Sequence, residues 1–524
     1  MMNHLSCPLN GRGRLTTSTP IGTTVPQDRR RRFRHRLDWC RPTFCQGIPQ
    51  GRCQPLVLTP SKISMSHLTI LVARLSDLND IFKAYDVRGT VPEQLDEHKA
   101  HAIGVGFAQF ANAPRILIAR DMRPSGELLV EAFANGARDQ GVDVVLLGLA
   151  STDLLYFASG SLDAPGVMFT ASHNPAQYNG IKACLAGAKP VGLDSGLAEV
   201  RDTASRVLEG DAPAKAAHRG SVSEMHLLDA FVDHVLSFVD ISKFRPLKVV
   251  ADTANGMGGL VVPAVFAKLP FELEVMYGEL DGTFPNHPAD PLQPANQRDL
   301  QRRVVSGGFD IGLAFDGDAD RVFVVDELGR GLSGSTTTAM LAAGVLAKSP
   351  GSTILYNLIC SHAVPEVIRE HGGLPVRTRV GHSYIKQTMA ETGAAFGGEH
   401  SAHYYFRDNY RADSGIIATM FVLEMLCEAS QPLSELRKPF ERYEASGEIN
   451  TVVSDPLAVI EQIAHTFASH PQDHLDGLTV DCGSWWFNLR PSNTEPLLRL
   501  NLEADTRQAC DDHVAELLSL ITTA

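Results

Sequence analysis

The sequence predicts an α/β protein: three related α/β domains with mainly parallel sheets, followed by a smaller α+β piece. Two observations carry this expectation. From about residue 68, short apolar runs alternate with helical patterns, and one strand–turn–helix–strand arrangement occurs three times. The first copy has strands at 116–119 and 142–147 around a helix at 127–140. The second has strands at 248–251 and 271–276 around 260–269, and the third has strands at 353–356 and 375–380 around 363–370. In each copy the first strand is apolar and rich in β-branched residues and ends in a polar or Gly-rich turn, as a parallel βαβ crossover requires. Each copy is followed by another short strand, at 167–169, 311–315 and 394–396, that runs into an unusual polar loop. Loops at the carboxyl ends of strands are where open α/β sheets bind ligands, so three domains would offer three loops to one cleft. Residues 432–448, with Pro439 and Gly447, read as a boundary. The expected divisions are 68–217, 218–330, 331–440 and 447–524.

A chain of 524 residues has room for three or four domains at roughly 150 residues each, and 44% apolar with 20% charged residues is an ordinary globular composition. The longest good apolar run, 339–347, is half of the ~18 residues a membrane span needs and predicts a core helix instead. The net charge of −13 conceals an asymmetry: residues 1–65 carry ten Arg and one Lys against Asp28 and Asp38, a net of +9, which leaves −22 for the remainder. Three readings compete for this Arg-rich extension, which holds four of the nine cysteines and is expected to be disordered. It is a nucleic-acid arm around residues 29–36, an organelle transit peptide, or sequence upstream of a true start at Met65. The abrupt change of composition near Met65 favours the last. The other five cysteines are scattered without paired spacing, which predicts a reduced, cytoplasmic chain.

Each polar loop suggests a chemistry. In Asp316-Gly317-Asp318-Ala319-Asp320-Arg321, three carboxylates at alternating positions repel one another unless a cation neutralises them, and a hard divalent ion such as Mg²⁺ is the natural occupant. An EF-hand is excluded, because the glycine it needs is Arg321 and a strand follows where a helix should. An Asp316 nucleophile of the haloacid-dehalogenase kind is the rival, although Asp320 stands where Thr or Val would be usual. Ser172, in Thr170-Ala171-Ser172-His173-Asn174-Pro175, is placed as an exposed nucleophile or as a helix cap, and without Gly-x-Ser-x-Gly acyl transfer is disfavoured. Glu399 and Ser401 suit the hydroxyls of a sugar, and Arg490 with Ser492, Asn493 and Thr494 suits a phosphate. A nucleophile, a metal loop, a polyol reader and a phosphate clamp together describe phosphoryl transfer on a phosphosugar.

These residues resemble the α-D-phosphohexomutases, and among them the bacterial phosphomannomutase/phosphoglucomutase branch. The resemblance rests on six motifs in order: 82–89, Arg120-Asp121-Met122-Arg123-Pro124-Ser125, 170–175, 316–321, 398–403 and 490–496. It implies three related α/β domains with mixed sheets and a smaller α+β C-terminal domain around a central cleft. It also implies a phosphorylated Ser172, Mg²⁺ held by Asp316, Asp318, Asp320 and a phosphoserine oxygen, Glu399 and Ser401 on the sugar, and 490–494 on the distal phosphate. Arg88 and Lys182 would stabilise the transferring phosphoryl group, Lys182 and His173 would be acid/base candidates, and His382 would work from the sugar side; Tyr85 and Arg321 complete the substrate contacts.

The implied reaction is the interconversion of mannose 6-phosphate and mannose 1-phosphate through a hexose 1,6-bisphosphate that turns end over end, with no nucleic-acid or membrane partner. The loop Gly398-Glu399-His400-Ser401-Ala402-His403 looks more like phosphomannomutases of nucleotide-sugar routes than like dual-specificity relatives. Phosphoglucomutase and dual specificity stay open as alternatives, with an Asp316 phosphatase and a non-catalytic sugar-phosphate binder as rivals of other classes. The arginines and lysine of the motifs predict a positive cleft inside an acidic exterior. Oligomeric state is not legible in the residues.

Overall fold

The structure, a computed structural model, describes residues 78–491 and 497–523, without the side chains of His382 and Thr523. The Arg-rich extension therefore lies outside the described residues. Four sheets form. The first holds β1 (Val87–Thr90), β2 (Arg115–Arg120), β3 (Asp143–Leu149), β4 (Gly166–Phe169), β5 (Tyr178–Leu185), β6 (Lys189–Pro190) and β7 (Val222–Glu224), in the order β1-β5-β4-β2-β3-β7 with β6 on β5. Because β7 adds to its edge, the first sheet reaches beyond residue 217. The second holds β8 (Lys248–Asp252), β9 (Glu272–Met276), β10 (Ile311–Phe315) and β11 (Val322–Asp326), in the order β11-β10-β8-β9. The third holds β12 (Thr353–Asn357), β13 (Leu374–Thr378), β14 (Phe396–Gly398) and β15 (Tyr404–Phe406), in the order β13-β12-β14-β15.

These three sheets share one plan. The strands of each βαβ copy run parallel, and the next strand adds in parallel on the other side of the first: β4 on β2, β10 on β8, β14 on β12. The chain then reverses, and β5, β11 and β15 pair antiparallel with that strand. All three polar loops are thus hairpin turns at the carboxyl end of the last parallel strand, and the sheets are mixed. The apolar composition of β10 follows from burial on both faces, all five of its residues being inside.

The run at 339–347 lies in the helix Gly334–Lys348, which is almost wholly buried and capped by Ser333 Oγ accepting from Thr336 N at 2.9 Å. One apolar core runs through the first three sheets, joining Leu117 and Ala119 to Val249, Ile311, Ile354 and Phe396. The last sheet holds β16 (Glu444–Ala445), β17 (Ile449–Val452), β18 (Gln472–Asp473), β19 (Leu478–Asp481), β20 (Trp485–Pro491) and β21 (Leu497–Ala504). It is antiparallel throughout and has its own core around Ile463, Phe487 and Leu500. The stretch expected as a boundary contains a short helix, Leu433–Leu436, before β16 joins this sheet. Among the described residues no single helix is long and apolar enough to cross a membrane.

Candidate active site

Each hairpin turn uses a non-glycine residue in the left-handed region: Ser172 (φ 49°), Ala319 (φ 61°) and Ala402 (φ 66°). Such a residue costs about 1–2 kcal/mol, which the surrounding contacts must offset. At the first two turns the offset is contact between the loops themselves. Gly317 packs so close to the first loop that a Cβ there would lie 2.4 Å from the Ser172 carbonyl oxygen. Ser172 Oγ donates to Asp316 Oδ2 at 2.7 Å, lies 3.3 Å from His173 Nδ1 and accepts from Arg321 Nη2 at 3.4 Å. The serine is buried, so among the described residues it is presented to this cluster of charges rather than to open solvent.

Asp316, Asp318 and Asp320 are all buried, and one oxygen of each lies within 4.8 Å of the others. Lys182 Nζ donates to Asp318 Oδ2 at 2.6 Å and to Asp320 Oδ2 at 2.7 Å; Arg321 Nε donates to Asp316 Oδ2 at 2.9 Å. Thr152, at the start of the helix Thr152–Leu162, adds its hydroxyl to Asp318 Oδ2 at 2.6 Å. Burial opposes a charged Lys182, but Asp318 and Asp320 outweigh it and hold the ammonium well above its ordinary range. Burial likewise pushes Asp316 up, to about 7, against Arg321, whereas Lys182 and Thr152 overcome burial and hold Asp318 well below the carboxylate range.

Three carboxylates thus face two cations, and Asp318 Oδ1 and Asp320 Oδ1 are buried without a hydrogen bond. Unpaired buried carboxylate oxygens are costly, and a divalent cation is the group that relieves them. The residues therefore fit a metal.

The third hairpin reaches this cluster through a β-bridge between Arg321 and His403. His403 Nδ1 lies 2.8 Å from Asp413 Oδ2 and 3.9 Å from Asp320 Oδ1, and Lys386 pairs with Asp413 at 2.9 Å. Burial would lower the imidazole, but Asp320 and Asp413 prevail and raise it. Glu399 is buried and among the described residues meets neutral donors: Oε1 accepts from Gly381 N at 3.1 Å, and Oε2 from Ser401 Oγ at 3.4 Å and Tyr405 OH at 3.2 Å. The hydroxyl of Tyr85 donates to Val380 O at 3.2 Å beside this turn.

Models of four successive domains match the chain, each described as phosphoglucomutase/phosphomannomutase: alpha/beta/alpha domain I at 79–206, domain II at 229–329, domain III at 333–443 and the C-terminal domain at 448–520. The chain belongs to the phosphoglucomutase/phosphomannomutase family. A Salmonella montevideo relative named phosphomannomutase is 40% identical over 433 residues, covering 81% of this chain and 94% of the relative. A Xanthomonas campestris relative named phosphohexose mutases is 40% identical over 428 residues, covering 80% and 94%. The solved structure of a Burkholderia thailandensis phosphoglucomutase/phosphomannomutase family protein superposes with a TM-score of 0.76 at 30% identity, covering 84% of this chain and 98% of that one. An Aspergillus fumigatus N-acetylphosphoglucosamine mutase shares the fold, with a TM-score of 0.56 at 13% identity over 88% and 99% of the two chains. Phosphohexomutases are enzymes of the isomerase class, and this chain is one of them.

Of the residues expected in the site, Ser172, His173, Lys182, Asp316, Asp318, Asp320 and Arg321 come together in one cluster. Arg88 joins its edge, donating to Asn174 Oδ1 at 2.7 Å and pairing with Asp86. Glu399, Ser401 and Tyr85 gather at the third loop. Arg490 stands apart at the end of β20, paired with Glu448 at 3.2 Å; Ser492, Asn493 and Thr494 lie outside the described residues, as does the His382 side chain. Of the motif cations, Arg88, Arg123, Lys182, Arg321 and Arg490 each pair with a carboxylate, and Arg120 lies 4.0 Å from Glu127. Sequence reasoning missed Thr152, His403, Asp413 and Lys386. His403 carried a signal, as the last polar residue of the third loop, whereas Thr152 and Lys386 lie on helices with nothing local to mark them.

Proposed function

We propose that this phosphohexomutase is a phosphomannomutase that interconverts mannose 6-phosphate and mannose 1-phosphate in the cytoplasm, with phosphorylated Ser172 as the phosphoryl carrier. The contact between Ser172 Oγ and Asp316 Oδ2, 2.7 Å long and inside the aspartate cluster, carries this reading. In the forward step the free hydroxyl of a hexose monophosphate forms a bond to phosphorus as the bond from phosphorus to Ser172 Oγ breaks. The hydroxyl proton leaves, Oγ regains a proton, and a hexose 1,6-bisphosphate results. After reorientation Ser172 takes the other phosphate, and the isomeric monophosphate departs.

Arg321, which reaches both Asp316 and Ser172 Oγ, opposes the charge that develops on the leaving oxygen. Lys182, whose Nζ donates to Asp318 and Asp320, supplies positive charge beside the serine loop and stays with His173 among the acid/base candidates. His173 suits the role of base: burial first, then Arg321 and Arg88, hold its imidazole well below the ordinary range, so a neutral nitrogen lies beside Oγ. Asp316, Asp318 and Asp320 would hold Mg²⁺, which supplies positive charge against the phosphoryl oxygens. Glu399 and Ser401 read two sugar hydroxyls, Tyr85 flanks them, and Arg490 with 492–494 takes the distal phosphate. His382 works from the sugar side.

Dual specificity is the second reading, favoured by the Xanthomonas relative's name. The deciding measurement is kcat/KM for mannose 1-phosphate against glucose 1-phosphate, with Mg²⁺ and bisphosphate present. A clear preference for mannose is expected, and equal values would make the narrower reading wrong.

A further inference from the structure

Ser172 holds a left-handed backbone beneath a cluster of charges, and its own loop has one further partner of unusual kind. Arg123, in the turn between β2 and the helix Gly126–Asp139, is 1% exposed, yet it touches neither the aspartates nor the sugar loop through any hydrogen bond. Its guanidinium points under the serine loop and uses all five N–H groups. Nη2 donates to Ser172 O at 2.9 Å and Asn174 O at 2.7 Å; Nη1 donates to Pro175 O and Tyr178 O, each at 2.8 Å. Nε donates to Asp121 Oδ2 at 3.2 Å, and Asp121 Oδ1 accepts from Arg123 N at 2.9 Å, which fixes the base of the side chain. Asp121 is itself fully buried, and its own N–H binds Phe169 O at the end of β4, the strand that launches the loop.

The second sheet closes over this arrangement. The Phe284 ring, from the segment after β9, lies with its centroid 5.1 Å from the guanidinium carbon. Gly282 packs so tightly that a Cβ there would come within 2.5 Å of Arg123 Cα. A buried arginine that binds four carbonyls within seven residues fixes the direction of each peptide plane it touches, the Ser172 peptide among them. A planar fork can do this where the three tetrahedral donors of a lysine cannot.

We propose that Arg123 is a positioning residue for phosphoryl transfer. Its guanidinium, seated by Asp121 and roofed by Phe284, holds the Ser172 carbonyl so that Oγ keeps its place between Asp316 and Arg321. The device ties the nucleophile's loop in the first sheet to the segment after β9 in the second, and so sets the two loops against each other. The proposal rests on Ser172 as the phosphoryl carrier, and its test keeps the two apart.

Full-length enzyme is phosphorylated by transfer from a hexose 1,6-bisphosphate carrying labelled phosphate, which leaves as the hexose monophosphate, then freed of small molecules, mixed with mannose 1-phosphate and Mg²⁺, and quenched at short times. Label recovered on Ser172 of the wild type establishes the carrier independently, and label on another residue overturns both readings. With the carrier established, R123K is expected to transfer about 100-fold more slowly, as for a reacting group displaced by about 1 Å, with KM within about twofold of the wild type. F284L, which removes the roof and leaves every hydrogen bond in place, is expected to transfer several-fold more slowly, again at unchanged KM. A merely structural role would lower the thermal midpoint and leave transfer per folded molecule unchanged. Wild-type transfer in folded R123K, or a loss confined to KM, overturns the proposal. Should R123K fail to fold, F284L decides: slowed transfer at constant KM supports positioning, and a wild-type rate overturns it.

Discussion

The second and third hairpin loops are built on the same plan and compensate their buried carboxylates in different ways. Both follow a buried parallel strand, both turn on a left-handed alanine, and the β-bridge between Arg321 and His403 joins them. In the loop 316–321 the carboxylates meet Lys182 and Arg321, remain in excess by one, and leave two buried oxygens without a hydrogen bond. In the loop 398–403 the buried Glu399 meets, among the described residues, an amide N–H and two hydroxyls and no cation. The first arrangement is completed by added positive charge. The second already resembles a carboxylate bound to hydroxyl groups, the kind of donor a sugar would offer in their place. The same scaffolding thus carries two differently compensated carboxylate sites, the first proposed for an ion and the second for a polyol, and the difference lies in which distant side chains packing brings in.

The largest effect tests the point on which both loops depend. Ser172→Ala is expected to lower mutase turnover by at least about 10⁴-fold while circular dichroism and the thermal midpoint stay near wild type; residual turnover at the wild-type rate would remove the serine from the chemistry. Next, Asp318→Asn removes the one excess negative charge that suits a cation. A loss of about 10²–10³-fold in kcat is expected, with a higher Mg²⁺ concentration needed for half-activity, and a chelator should abolish wild-type turnover until Mg²⁺ is restored. Glu399→Gln keeps the shape of the sugar loop and removes its charge. Here kcat/KM should fall about 10–100-fold while the Mg²⁺ titration stays as in the wild type. If the two variants exchanged these signatures, the contrast between the loops would be reversed.

The smallest effect concerns Asp153, which stands behind both loops. Its carboxylate accepts from Ser414 Oγ at 2.7 Å and from Ser151, and burial, aided by Asp320 and Asp413, raises it from 3.8 to about 7 against those two hydroxyls. Between these values the folded chain keeps a proton that the unfolded chain has released. Stability from this group is therefore full below about pH 4 and falls as the pH rises toward 7. Asp153→Asn should flatten that decline by a few degrees in thermal midpoint between about pH 5 and 7. An unchanged or steeper slope would show that Asp153 does not titrate there.

Much of the fold is legible in the residues alone. The threefold strand–turn–helix–strand recurrence, the buried helix around 339–347 and the three polar loops follow from local periodicity, because apolar spacing and turn chemistry are properties of neighbouring residues. The antiparallel return after each loop was less visible: β15 is three residues long, too short to carry a period, and β5 alternates only in part.

What the sequence determined by itself was the set of chemical groups and their order: one serine in a polar turn, three alternating aspartates, a carboxylate beside a hydroxyl, and an arginine before the last loop. Which of them act together was decided by tertiary structure. Ser172 and Asp316 are 144 residues apart, Lys182 reaches Asp318 across 136, and Arg123 finds the serine loop across 49. Pairings at such separations are set by how whole sheets pack. The same packing sets Lys182 between Asp318 and Asp320, because their carboxylates in a buried, low-dielectric cluster raise the ammonium against the burial that would lower it.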